Sequence, residues 1–109
     1  MKGTYLVLFV PEGRSHHGTL LYEWLLQQAR RLGLQGGMAF KAIAGFGRHG
    51  HLQADHFIEL AGDLPVELTF MATDEEAERL LAFIKGEGLS LFYVRMSAEC
   101  GVIKEPVRP

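Results

Sequence analysis

Five histidines are spread over 109 residues, and four of them fall in two polar stretches, His16 with His17 and His49 with His51. The second stretch is the richer one. From Gly36 to Asp55 the chain reads GGMAFKAIAGFGRHGHLQAD, so Arg48, His49 and His51 stand among glycines. Imidazoles two residues apart share one side of an extended segment, and imidazole suits zinc, copper or nickel. His49 and His51 are therefore candidate metal ligands. Asp55 is near, but no carboxylate or thiolate stands at a dedicated chelating spacing. A cation and two imidazoles on a glycine-rich loop launched from a strand also fit a sensor or ligand site.

Catalytic chemistry finds less support. Ser15 is adjacent in sequence to His16 and His17, whereas a nucleophile and its base ordinarily meet across a fold. Cys100 has no cationic neighbour to favour its thiolate and reads as an inert thiol. A non-enzymatic role is expected.

The elements that must position these residues follow from periodicity. Thr4 to Val10 is β-branched and aromatic-rich and stops at Pro11. Both of its faces, Leu6/Leu8/Val10 and Tyr5/Val7/Phe9, are apolar, which predicts a strand covered on both sides. After the polar loop Glu12 to Gly18, Thr19 to Gly33 reads as a helix. Its stripe is Leu20, Leu21, Trp24, Leu25, Gln28, Ala29 and Leu32, with Arg30 and Arg31 in the last turn and Gly33 as the left-handed stop. Met38 to Phe46 reads as a second strand, His56 to Leu60 as a short ribbon strand, and Val66 to Ala72 as a third main strand. Thr73-Asp74-Glu75-Glu76 is a capping box opening a second helix, whose stripe is Ala77, Leu80, Leu81 and Ile84. Gly86-Glu87-Gly88 ends it. Leu89 to Met96 is the last strand, and Ser97 to Pro109 a tail.

This order predicts an α+β, ferredoxin-like βαββαβ sandwich: a four-stranded antiparallel sheet with a long loop after the second strand, and both helices on one face. The whole chain, residues 1 to 109, reads as a single domain. The first strand needs cover on its second face, and no third helix is available to give it. Burial against sister copies would remove some hundreds of Å² per subunit at roughly 25 cal/mol per Å². A closed oligomer, a trimer, is expected.

Bulk composition narrows the functional classes. Hydrophobic residues make up 48% and charged ones 22%, and the formal net charge is −2. That balance is globular and opposes non-specific nucleic-acid binding, which needs a basic surface. The longest apolar run, Tyr5 to Pro11, is far short of the roughly 20 residues that a membrane span requires. The pattern of a secretory leader is not seen, and a single cysteine excludes an internal disulfide. A reduced, cytoplasmic setting is expected.

Several stretches carry a family likeness. Gly37-Met38 opening the second strand, with Gly45-Phe46-Gly47-Arg48 closing it before a long loop, resembles the nitrogen-regulatory PII signalling proteins. His17-Gly18 followed by Leu21-Tyr22-Glu23, and Asp63 to Val66 before the third strand, resemble the PII-like branch of unassigned function. The resemblance implies a homotrimer with ligand clefts between subunits. On that reading Gly45, Phe46, Gly47 and Arg48 form the loop base on one side of a cleft. Lys85, Gly86 and Gly88 lie on the other side, with His17 belonging to the matched stretch, while His16 reads as an ordinary turn residue. Glycine backbone N–H groups would approach an anion closely, and Arg48 would add a bidentate charge.

The chain departs from the PII pattern after the second helix. Lys85-Gly86-Glu87-Gly88 stands where that family carries a triphosphate-cradling loop, and Glu87 would repel phosphate. An adenine nucleotide as small as AMP, or another anion, therefore fits better than ATP. The expected function is a regulatory trimer that senses such a ligand and signals through its loop to a partner protein such as a membrane transporter. One alternative is a metal-binding trimer of the divalent-cation-tolerance type using the loop histidines. Another is a small ferredoxin-like oxygenase or other enzyme.

Overall fold

The computed structural model describes residues 1–46 and 64–107. Strand β1 (Lys2–Pro11) leads into a two-rung hairpin, β2 (Ser15–His16) with β3 (Thr19–Leu20), and then helix α1 (Leu21–Arg31). Strands β4 (Met38–Lys41) and β5 (Pro65–Ala72), helix α2 (Asp74–Gly86) and strand β6 (Phe92–Glu99) follow. The main sheet has the order β4-β5-β1-β6 with every pair antiparallel. In terms of the four long strands this is the second, third, first and fourth, the ferredoxin-like order expected for two interlocked β-α-β halves.

Alternation decides which residues meet the helices. Leu6, Leu8 and Val10 stand opposite Phe70, Leu68 and Val66 in register, so all six point to one face. There they pack with Leu21, Leu25 and Ala29 of α1 and Ala77, Leu80 and Ile84 of α2. Gly37 is pressed against this layer: a Cβ there would lie 2.5 Å from Cε1 of Phe70. The opposite face carries Tyr5, Val7 and Phe9 flanked by Met71, Met96, Val94 and Phe92. Met38 and Phe40 continue it across Thr69 and Glu67. Met38, Phe40, Phe92 and Met96 are all at least half exposed or close to it, from 49% to 60%. The doubly apolar first strand thus has helices on one side and an open apolar sheet surface on the other.

Both helix ends are closed as the sequence suggests. Gly33 and Gly88 adopt left-handed backbone, with φ of 99° and 73°. At the first, Leu34 N–H bonds Ala29 and Gly33 N–H bonds Arg30; at the second, Leu89 N–H reaches Ile84 and Gly88 N–H reaches Lys85. This is the paired Schellman pattern at each end. Arg79 of α2 donates to the carbonyl of Leu32 at 2.6 Å, tying the end of α1 to its neighbour. The capping box forms in full: Glu76 N–H donates to Thr73 Oγ1 at 3.1 Å and Thr73 N–H to Glu76 Oε1 at 2.9 Å.

Several boundaries differ from expectation. The first strand runs from Lys2 through Pro11, which stands opposite Pro65 at the end of the ladder, rather than from Thr4 to Val10. The second strand ends at Lys41 rather than Phe46, because its partner β5 begins at Pro65. The last rung is Lys41 opposite Val66, followed by Ala42 N–H to the Pro65 carbonyl, and among the described residues no strand pairs with Ile43 to Phe46. Helix α1 starts at Leu21 rather than Thr19, since Thr19 and Leu20 are drawn into the hairpin with Ser15 and His16. The last strand begins at Phe92 and runs on to Glu99, because β1 offers it a partner as far as Lys2. The ribbon strand expected at His56 to Leu60 lies outside the described residues. Among the described residues, no helix is long and apolar enough to cross a membrane.

Candidate functional site

The side chains that converge in the structure come from the hairpin before α1 and from the end of α2, which lie side by side at one end of the helical layer. In the hairpin β2–β3 only His17 and Gly18 lie between the two rungs. Both have positive φ, 52° and 77°. A two-residue hairpin turn of this hand matches the twist of its strands and needs left-handed backbone at both positions. Glycine accepts that freely, and histidine is among the few side-chain-bearing residues enriched there. The tight turn sets His16 and His17 side by side, with ring centroids 4.2 Å apart.

Opposite them, the stop of α2 places Glu87 as the C-cap residue immediately before Gly88. His16 Nε2 and His17 Nε2 each lie 3.1 Å from the same atom, Glu87 Oε1. A carboxylate oxygen only accepts, so each ring donates its Nε2–H. These hydrogen bonds, from His16 first and His17 second, hold the Glu87 carboxyl below the usual carboxylate range. Beneath the cluster the Trp24 ring of α1 meets His16 edge-on at 4.5 Å and stacks on Phe83 of α2 at 5.6 Å. His16 is largely covered, Glu87 partly so, and His17 is open to solvent. The group is an aromatic-backed pair of imidazoles sharing one carboxylate.

Of the sequence-predicted site residues, His17 and the Gly86–Gly88 turn meet here through Glu87. Lys85 projects from the last turn of α2 and lines a separate open groove of about 420 Å³ with Leu81, Leu89, Tyr93 and Arg95. Gly45 and Phe46 follow the end of β4; among the described residues nothing lies within 4 Å of a Cβ at Gly45, and the Phe46 side chain is 89% exposed. Gly47, Arg48, His49 and His51 lie outside the described residues. Two members of the cluster escaped the sequence reading: His16, read as an ordinary turn residue, and Glu87, read only as a charge hostile to phosphate. The signal available was the adjacency of two histidines before a glycine, which marks a tight turn but not what stands across from it.

The family DUF190, described as Uncharacterized ACR, matches residues 3–89. The chain belongs to this family. A UPF0166 protein of Aquifex aeolicus (strain VF5) is 33% identical over 87 residues, covering 80% of this chain and 83% of that one. Among solved structures, CPII, a nitrogen regulatory PII-like protein from Thiomonas intermedia K12 bound to ADP, AMP and bicarbonate, superposes with a TM-score of 0.64 at 14% identity. That match covers 95% of this chain and 98% of the other. A putative PII-like signaling protein from Thermus thermophilus gives a TM-score of 0.55 at 18% identity, covering 89% of this chain and 88% of its own. The DUF190 chain thus has the PII-like fold that its Gly37-Met38, His17-Gly18 and Leu21-Tyr22-Glu23 stretches resemble.

Proposed function

We propose that this DUF190 chain is the protomer of a PII-like homotrimeric regulator, not an enzyme, that senses an adenine nucleotide in clefts between subunits. One observation carries the reading. The sheet is roofed by helices on one face and leaves Met38, Phe40, Phe92 and Met96 exposed on the other, an apolar-rich surface of the kind that marks an interface. Closing three copies over that surface is the economical way to cover it, and it brings the end of β4 of one copy toward another.

In this arrangement Gly45, Phe46, Gly47 and Arg48 supply one wall of the cleft, while Lys85, Gly86, Gly88 and His17 of the neighbouring copy supply the other. CPII, which shares the fold, binds ADP, AMP and bicarbonate, and this supports a mononucleotide with a small anion beside it. The single acidic side chain in the Lys85–Gly88 turn favours AMP or ADP over ATP. Ligand occupancy of the cleft is signalled through the loop that follows β4 to a protein partner such as a membrane transporter in the cytoplasm.

Titration calorimetry with AMP, ADP and ATP, each with and without bicarbonate, tests the ligand. Saturable binding of AMP or ADP, weakened by Arg48→Ala, is the expected result. No heat with any of the three removes the nucleotide from the proposal.

A further inference from the structure

The cluster at His16, His17 and Glu87 is too well furnished for its structural duty alone. Its three donor atoms lie within 4.8 Å of one another. Both imidazole nitrogens stand 3.1 Å from the carboxylate oxygen. Zinc takes nitrogen and carboxylate oxygen ligands at about 2.0–2.2 Å in a tetrahedron, whose corners are then roughly 3.3–3.5 Å apart. The N···O spacings therefore need only a few tenths of an ångström to become two edges of a zinc coordination shell. Two imidazoles and one carboxylate also form a recognised three-ligand set that leaves a further position for water or an anion.

Preorganisation is visible in each ligand. His17 is held by the left-handed turn with Gly18, His16 by its edge-on contact with Trp24, and Glu87 by the end of α2 locked at Gly88. From this geometry we propose that His16, His17 and Glu87 form a divalent zinc-type metal site. Binding exchanges the two Nε2–H···O bonds for coordination. Each neutral ring presents its Nε2 lone pair and carries its proton on Nδ1, and the carboxylate contributes Oε1. The site differs from the His49/His51 pair that the sequence suggests, and although His17 is shared with the proposed cleft, zinc binding by nucleotide-free protein is read separately from nucleotide binding.

Tag-free full-length protein, stripped with a chelator and free of nucleotide, provides the test. Zinc is titrated against a chromophoric competitor, and cobalt(II) serves as a spectroscopic substitute read by its visible absorption. Trp24, the only tryptophan in the chain, sits against His16 and reports cobalt by quenching. The proposal expects one zinc per chain, with Trp24 quenched by cobalt. His17→Asn keeps the left-handed turn while removing the imidazole, and Glu87→Gln keeps the shape while removing the charge. Each should weaken zinc by more than ~100-fold, beyond the roughly 10–100-fold lost with a merely supporting partner. The double variant His49→Ala/His51→Ala should bind as the parent does. Absence of saturable binding overturns the proposal, as does binding that survives His17→Asn and Glu87→Gln or disappears in the His49/His51 variant.

Discussion

His16 and Glu87 are 71 positions apart and meet at 3.1 Å, joining the hairpin that precedes the first helix to the residue that ends the second. The contact exists because two backbone devices face each other. A left-handed turn at His17-Gly18 aims the imidazoles, and a left-handed stop at Gly88 aims the carboxylate.

The turn can be tested apart from the chemistry. Gly18 has a φ of 77° with open space around it, so an added Cβ suffers from the backbone conformation and not from a neighbour. Gly18→Ala should cost about 1–2 kcal/mol, the usual penalty of left-handed backbone for a residue with a Cβ. His17→Asn should leave urea unfolding within about 0.5 kcal/mol of the parent, because Asn-Gly is the favoured pair for this turn. Equal destabilisation by the two substitutions would mean that the hairpin is held by the His17 side chain instead.

Helix α2 offers a cleaner local prediction. Thr73 and Glu76 exchange two bonds across its first turn. Thr73→Ala should lower stability by about 1 kcal/mol, seen as a drop in Tm of about 4–8 °C in a domain of this size. Thr73→Ser, which keeps the oxygen, should recover most of that loss.

Much of the architecture could be read from residue order because its causes are local. The Thr73 box, the Gly33 and Gly88 stops and the period of Ala77, Leu80 and Ile84 each act within a few residues. The first strand's two apolar faces, with only two helices in the chain, likewise pointed to a second face that needs cover from elsewhere. What could not be read depends on partners distant in sequence. Ile43 to Phe46 has strand-like composition yet leaves the sheet, because β5 starts only at Pro65. The pairing of His16 and His17 with Glu87 spans most of the chain, and no periodicity encodes it. Hence Glu87 was visible as a charge but not as the shared partner of two imidazoles.

Glycines separate packing from function. A Cβ on Gly37 would meet Phe70 Cε1 at 2.5 Å and Cδ1 at 2.7 Å, and that ring is buried in the core. Gly37→Ala should destabilise by about 1–3 kcal/mol, as overpacking does. Gly86→Ala sits in the last turn of α2 with nothing within 4 Å. It should stabilise the protein by about 0.5–1 kcal/mol, as alanine does over glycine inside a helix. If Gly86→Ala nevertheless weakens nucleotide binding in calorimetry, close backbone approach of the ligand at that turn is the cause, since folding has been improved.

The open sheet face carries the heaviest consequence. Phe40 and Met96 lie on its two outer strands, on the face opposite the helices, and each is about half exposed. Replacing either by lysine removes apolar area from the interface without touching the core of the protomer, so circular dichroism should be unchanged. In the proposed trimer the same charge would be repeated by symmetry and stripped of water at the seam, a cost of several kcal/mol per ion. Light scattering should therefore give three times the 12.2 kDa chain mass for the parent and a shift toward the single chain for Phe40→Lys/Met96→Lys. A parent protein that runs at the single-chain mass at every concentration would mean that this face is not an interface between copies, and the intersubunit cleft would be lost with it.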